Sequence, residues 1–154
     1  MKSLKFVILI NLFILCALTS YSQSDLYSSK ANAKSDISSA LSVAKKEGKN
    51  VIIMFGGNWC TWCKTFMDKC TSDPELLKKF RDNYKGIRVE ARDNKDILLE
   101  YGSPNKFGYP VFVVLNADGK QIHTQDSALL EEGDEYSKVK VLAFLNKWTV
   151  ANTK

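Results

Sequence analysis

The stretch Val51-Ile52-Ile53-Met54-Phe55-Gly56-Gly57-Asn58-Trp59-Cys60-Thr61-Trp62-Cys63-Lys64 decides how this chain is read. Its apolar run, Val51 to Phe55, describes a buried central strand. Gly56-Gly57 marks a turn. A helix follows from Cys60, with Cys63, Phe66, Met67 and Cys70 at i, i+3, i+4 and i+7, one stripe facing the core. This order puts Cys60 at a helix N-terminus, where unpaired backbone N–H groups and the helix dipole favour a thiolate over a thiol. Cys63, one turn further in, is spaced to close a small disulfide with it. A reversible dithiol–disulfide pair at the end of a strand is the working part of thiol–disulfide oxidoreduction.

A Cys-x-x-Cys pair is also half of a zinc site. Structural zinc takes four ligands, usually from a second Cys/His pair at similar spacing. Beyond the N-terminal segment only Cys70 and His123 remain, and neither belongs to a second knuckle. No metal and no other cofactor is therefore expected. Cys70 itself reads as a small buried hydrophobe. Seven residues along a helix from Cys63 is a rise of ~10.5 Å, beyond the reach of a disulfide. His123 reads as a surface histidine, so no Cys–His catalytic pair is expected.

The N-terminus predicts export. Lys2 and Lys5 form a basic start, Phe6 to Leu18 is almost wholly apolar, and Ser20-Tyr21-Ser22 offers small residues for cleavage before Gln23. Residues 1–22 are thus read as a secretion signal and the protein as periplasmic or secreted. The apolar run is shorter than the ~20 residues that span a bilayer. Cys16 follows Leu15, where a lipidation signal wants a small residue. Without residues 1–22 the net charge falls from +5 to +3, which is ordinary solubility and not a nucleic-acid footprint. Outside the cytoplasm disulfides form and persist, so enzymes that act on them have substrates there.

The remaining chain suits one domain over 35–150, preceded by a polar, frayed lead-in at 23–34. Ser35 is expected to cap a helix carrying Ile37, Ala40, Leu41 and Ala44, stopped at Gly48. Asp73-Pro74 restarts a helix through Leu76, Leu77 and Phe80. Ile87–Ala91 reads as a strand and Asp96–Tyr101 as a short helix. Val111–Leu115 and Gln121–Thr124 form a hairpin about Asn116-Ala117-Asp118-Gly119. Ser137 opens a last helix through Val141, Leu142, Leu145 and Trp148. Asp126–Tyr136, with five acids, reads as a solvated loop. The predicted fold class is α/β: a mixed sheet with helices on both faces and one helix before the first strand.

With these elements in place the chain resembles the thioredoxin-like family, over roughly residues 35–150. The residues that carry the likeness are Val51–Phe55, Trp59-Cys60-Thr61-Trp62-Cys63-Lys64, Gly108-Tyr109-Pro110 before Val111–Leu115, and Asp118-Gly119-Lys120. Trp-Cys-x-x-Cys-Lys followed by Ser72-Asp73-Pro74-Glu75 is similar to exported members such as the C-terminal domain of the membrane reductase DsbD. The resemblance implies that Cys60 is the exposed attacking cysteine and Cys63 the buried resolving one. It implies that Trp59 shields the pair and that Pro110 is a cis-proline packed against it. Trp62 and Tyr109 complete the expected substrate-binding set. Protein disulfides or thiols are the implied partners, a membrane protein the implied electron donor, and a monomer the expected state.

Three departures stand out. Thr61-Trp62 replaces the Gly-Pro of thioredoxins, Met54 replaces their buried acid, and Tyr101–Gly108 is longer than their loop before the proline. Glu90 is the carboxylate nearest to hand as a substitute for that acid. Two function classes follow: a thiol–disulfide oxidoreductase, or a binding module that holds cysteine-containing or extended peptides with little turnover.

Overall fold

The computed structural model describes residues 25–28 and 30–153. The expected secretion signal lies outside them. Among the described residues no helix is long and apolar enough to cross a membrane.

Helix α1 spans Ala33–Glu47 and ends at Gly48, whose φ of 66° gives the left-handed turn that stops it. Its N-cap is Asn32, not Ser35. The Asn32 side chain accepts a hydrogen bond from Ser35 N at 3.0 Å. Asn caps as well as Ser, and starting earlier lets Ala33 join the buried face with Ile37, Ala40 and Ala44.

Strand β1, Asn50–Gly56, is buried along its whole length. It leads through the Gly-Gly turn into α2, Thr61–Ser72, and then α3, Pro74–Asn83. Asp73 caps α3 by accepting from Glu75 N and Leu76 N, as expected of Asp before Pro. Strand β2 runs Tyr84–Glu90, three residues earlier than the sequence suggested. Tyr84 is buried and its hydroxyl donates to Leu145 O at 2.7 Å, a tertiary tie that no local pattern announces.

The short helix α4, Lys95–Glu100, and a 3-10 turn at Pro104–Phe107 lead to β3, Val111–Leu115. Strand β4, Gln121–Asp126, returns through a turn in which Asn116 Oδ1 accepts from Asp118 N and Lys120 N. Strands β5, Glu131–Glu132, and β6, Glu135–Tyr136, pair as a small antiparallel hairpin before α5, Lys138–Lys147. The acidic stretch is therefore not simply a solvated loop, because Leu130 and Tyr136 pull it onto the core.

The main sheet has the order β2-β1-β3-β4, with β1 parallel to β2 and the other neighbours antiparallel. This is the expected mixed sheet, with β2 and β4 at its edges. Alternation along β1 divides the core in two. Val51, Ile53 and Phe55 pack with α1 and α4, while Ile52 and Met54 pack with Cys60, Cys63 and Phe66 of the cysteine helix. The lead-in departs most from expectation. Tyr27 is only 2 % exposed and belongs to the core on the cysteine side.

Candidate active site

Cys60 and Cys63 form a disulfide, with Cα atoms 5.3 Å apart. Cys60 is the N-cap of α2, and its sulfur accepts a hydrogen bond from Cys63 N at 3.1 Å. An orphan N–H of the first helical turn thus points at the sulfur, the arrangement that stabilises a thiolate there once the bond is reduced. Residue exposure is 6 % for Cys60 and 0 % for Cys63. The sequence called for an exposed attacking cysteine; the difference between the two is small, and Cys60 is shielded by what surrounds it.

Both glycines of the turn are required by close approach. A Cβ on Gly57 would stand 2.1 Å from Trp59 Nε1 and 2.3 Å from Glu90 Oε2. The Gly57 carbonyl accepts from Cys60 N at 3.0 Å, which sets the cysteine at the helix start.

Around the disulfide, Trp59 is 39 % exposed and held on three sides. Its indole N–H donates to Glu90 Oε1 at 3.0 Å, and the Arg92 guanidinium lies 4.0 Å over its ring. Its edge-on contact with Tyr109, centroids 5.2 Å apart, joins the cysteine turn to the proline loop. The Tyr109–Pro110 bond is cis, as expected. Trp62, expected in the substrate-binding set, is half-buried and packs edge-on against Tyr136 at 5.4 Å. Residue 62 is the second helical position, and the β5–β6 hairpin comes up against it.

Glu90 does not take the place of the missing acid. Its Oε1 accepts from Trp59 Nε1 and from Arg92 N, so the carboxylate belongs to the rim and not to the floor beneath the sulfurs. Met54 fills that floor, 4 % exposed and packed in the same core cluster as both cysteines. His123 is half-buried on β4 and stacks on Trp148 at 4.2 Å; burial lowers its pKa.

Cys70 is a buried free thiol on the inner stripe of α2, and burial pushes it up to about 12. At neutral pH it stays a thiol and reacts slowly. Alkylation of the reduced protein near pH 7, followed by mass spectrometry, is expected to label Cys60 first and Cys70 last. Faster labelling of Cys70 would contradict its placement.

The pattern that defines the thioredoxin-like family matches residues 32–117, more than half of the chain. The chain belongs to the thioredoxin-like family. Among solved structures it is similar to a disulphide isomerase from Xylella fastidiosa Temecula1, 26% identical with a TM-score of 0.71, covering 82% of this chain and 98% of that one. It also shares its fold with the oxidised C-terminal domain of DsbD from Neisseria meningitidis, 21% identical with a TM-score of 0.55, covering 75% and 96% of the two chains. In sequence it is similar to the thiol:disulfide interchange protein DsbD of Pseudomonas fluorescens, 23% identical over 117 residues, 74% of this chain and 18% of that protein. The DsbD of Vibrio cholerae is 28% identical over 89 residues, 57% of this chain and 15% of that protein. The chain thus spans less than a fifth of the length of these curated relatives. A thioredoxin-like fold with a bonded Cys-x-x-Cys at the strand–helix turn is built for thiol–disulfide redox chemistry.

Proposed function

We propose that the protein is an exported thiol–disulfide oxidoreductase that reduces or exchanges protein disulfides through Cys60 and Cys63. The observation that carries this reading is the disulfide at the start of α2, with Cys60 Sγ taking the helix-terminal N–H of Cys63. In the reduced protein the Cys60 thiolate attacks one sulfur of a substrate disulfide. An S–S bond to substrate forms, and the other substrate sulfur leaves as a thiolate. Cys63 then loses its proton and its thiolate attacks Cys60 Sγ. The Cys60–Cys63 bond forms and the second substrate sulfur departs, so the substrate gains the two electrons that the protein loses.

Trp59, Trp62, Tyr109 and Pro110 supply the partner-facing rim. Pro110 has no N–H, so the backbone before it stays open to pair with an extended substrate segment. The basic and apolar N-terminal stretch supports export, and on this reading the protein acts as a monomer recharged by a membrane electron donor. The test is capture: Cys63→Ala in the native compartment should hold substrates as mixed disulfides through Cys60. Absence of any dithiothreitol-sensitive adduct would overturn the reading.

A second reading, a binding module with slow turnover, draws on Met54. A thioether cannot relay the proton that Cys63 must lose, whereas a carboxylate there can. Met54→Asp is expected to speed release of a trapped mixed disulfide about tenfold, within the range of general acid–base effects. It should cost about 3 kcal/mol of stability, since it buries a polar group without an assured partner. Release rates flat from about pH 6 to 9 in both proteins would show that deprotonation of Cys63 is not limiting.

A further inference from the structure

A tyrosine hydroxyl approaches the Cys63 sulfur from an unexpected direction. Tyr27 comes from the segment before α1, yet its side chain lies under the cysteine turn. Its backbone is clamped at two points by Asn58: Tyr27 N donates to Asn58 Oδ1 at 2.9 Å, and Asn58 Nδ2 donates to Tyr27 O at 2.8 Å. Asn58 stands two residues before Cys60, so the clamp ties Tyr27 to the turn that carries the disulfide.

Gly56 shows where the hydroxyl ends. The point where a Cβ on Gly56 would stand is 2.3 Å from Cys63 Sγ and 2.5 Å from Tyr27 Oη. The sum of those distances, 4.8 Å, is the furthest apart that the two atoms can be. Glycine at 56 is what lets them converge. Tyr27 is 98 % buried (2 % exposed), and its hydroxyl has no hydrogen-bond partner among the described residues. A buried hydroxyl without a partner is costly, and most find one. The sulfur of a disulfide is a weak acceptor, whereas a thiolate is a strong one.

We propose that Tyr27 is a catalytic residue of the resolving step, donating a hydrogen bond from its hydroxyl to the Cys63 thiolate. The proposal rests on the oxidoreductase reading above. On this view the hydroxyl is unmet in the oxidised protein and satisfied when Cys63 of the reduced protein ionises. Tyr27 is a donor and not a base: burial raises its pKa, Glu90 and Tyr136 add to the rise, and Arg88 opposes it, so the phenol keeps its proton. Those three are the charged or titratable side chains acting on it from β2 and β6. The proton that Cys63 loses goes to solvent, and Tyr27 stabilises the sulfur anion left behind. The anion then closes the bond to Cys60 and expels the substrate thiolate. Tyr27 thus supplies by hydrogen bonding part of what a carboxylate at position 54 would supply by proton relay.

The test follows alkylation of Cys63 against pH in the reduced Cys60→Ser protein, with and without Tyr27→Phe. A hydrogen bond to a charged group corresponds to about one to two pKa units, so the midpoint should rise by about one unit when the hydroxyl is removed. Tyr27→Phe keeps the ring and the Asn58 clamp, so the fold is retained. Asn58→Ala, which loosens the clamp, should move the midpoint in the same direction. With both cysteines present, and at a pH above the Cys63 midpoint where the reduced pair carries the thiolate, Tyr27→Phe should shift the glutathione exchange equilibrium about tenfold toward the disulfide, roughly 30 mV for this two-electron couple. A rise of half a unit or more supports the assignment; a smaller rise, or a fall, overturns it. Neither measurement uses a protein substrate. Failure of the capture experiment would therefore sink the oxidoreductase reading while leaving the Cys63 titration interpretable.

Discussion

Cys60→Ser is expected to bring disulfide exchange down to the uncatalysed background, a loss of about a thousandfold or more. A serine hydroxyl at the N-cap of α2 still accepts the Cys63 N–H, so the helix start survives. It is not ionised near neutral pH and cannot form the mixed disulfide. Stability does not explain the loss. A disulfide closing so short a loop contributes about 2 kcal/mol, small beside the core that surrounds it. The check is reduction of a model protein disulfide, run beside thermal unfolding of the same variant. Retained activity in a folded Cys60→Ser protein would mean that another sulfur attacks first.

Gly56→Ala is expected to destabilise the folded protein by a net of about 2 kcal/mol. In the unfolded chain alanine restricts the backbone, a gain of about 0.4–1 kcal/mol for folding. Against it stands a Cβ 2.3 Å from Cys63 Sγ and 2.5 Å from Tyr27 Oη, separations that real Cβ atoms do not reach. Neither neighbour yields easily, since Cys63 is fixed by its bond to Cys60 and Tyr27 by the Asn58 clamp. Overpacking of this kind costs about 3 kcal/mol and wins over the entropy gain. The melting temperature of the oxidised protein should fall by roughly 10 °C. A fall of less than about 3 °C would show that the Tyr27 ring moves aside readily.

The elements that periodicity announces are the ones the sequence made legible. Val51–Phe55 and the Cys63, Phe66, Met67, Cys70 stripe placed the central strand and the cysteine helix, and with them the pair. Asp73-Pro74 marked the start of α3 because capping is a local matter. Tyr27 was invisible for the opposite reason. It is a single aromatic in QSDLYSSKANAK, and its burial comes from contacts with Gly56 and Asn58, thirty residues away. Asn32 and Ser35 both cap well, and only the packing of Ala33 chooses between them. The Glu90 carboxylate finds its partner in an indole on the rim. Nothing in a lone glutamate on a strand states which way it turns.

The two edges of the sheet bear on how the protein behaves when crowded. A site that invites extended segments to pair sits in a molecule that must not pair with itself. Along β2, Lys85 and Arg88 carry positive charge and flank Gly86 and the half-buried Ile87. Strand β4 reads Gln121-Ile122-His123-Thr124-Gln125-Asp126, with one aliphatic residue in six positions. Bringing two copies of β2 together crowds their positive charges, and pairing through β4 strips water from polar side chains with little apolar gain. Fibre growth from either edge of the main sheet is thereby disfavoured.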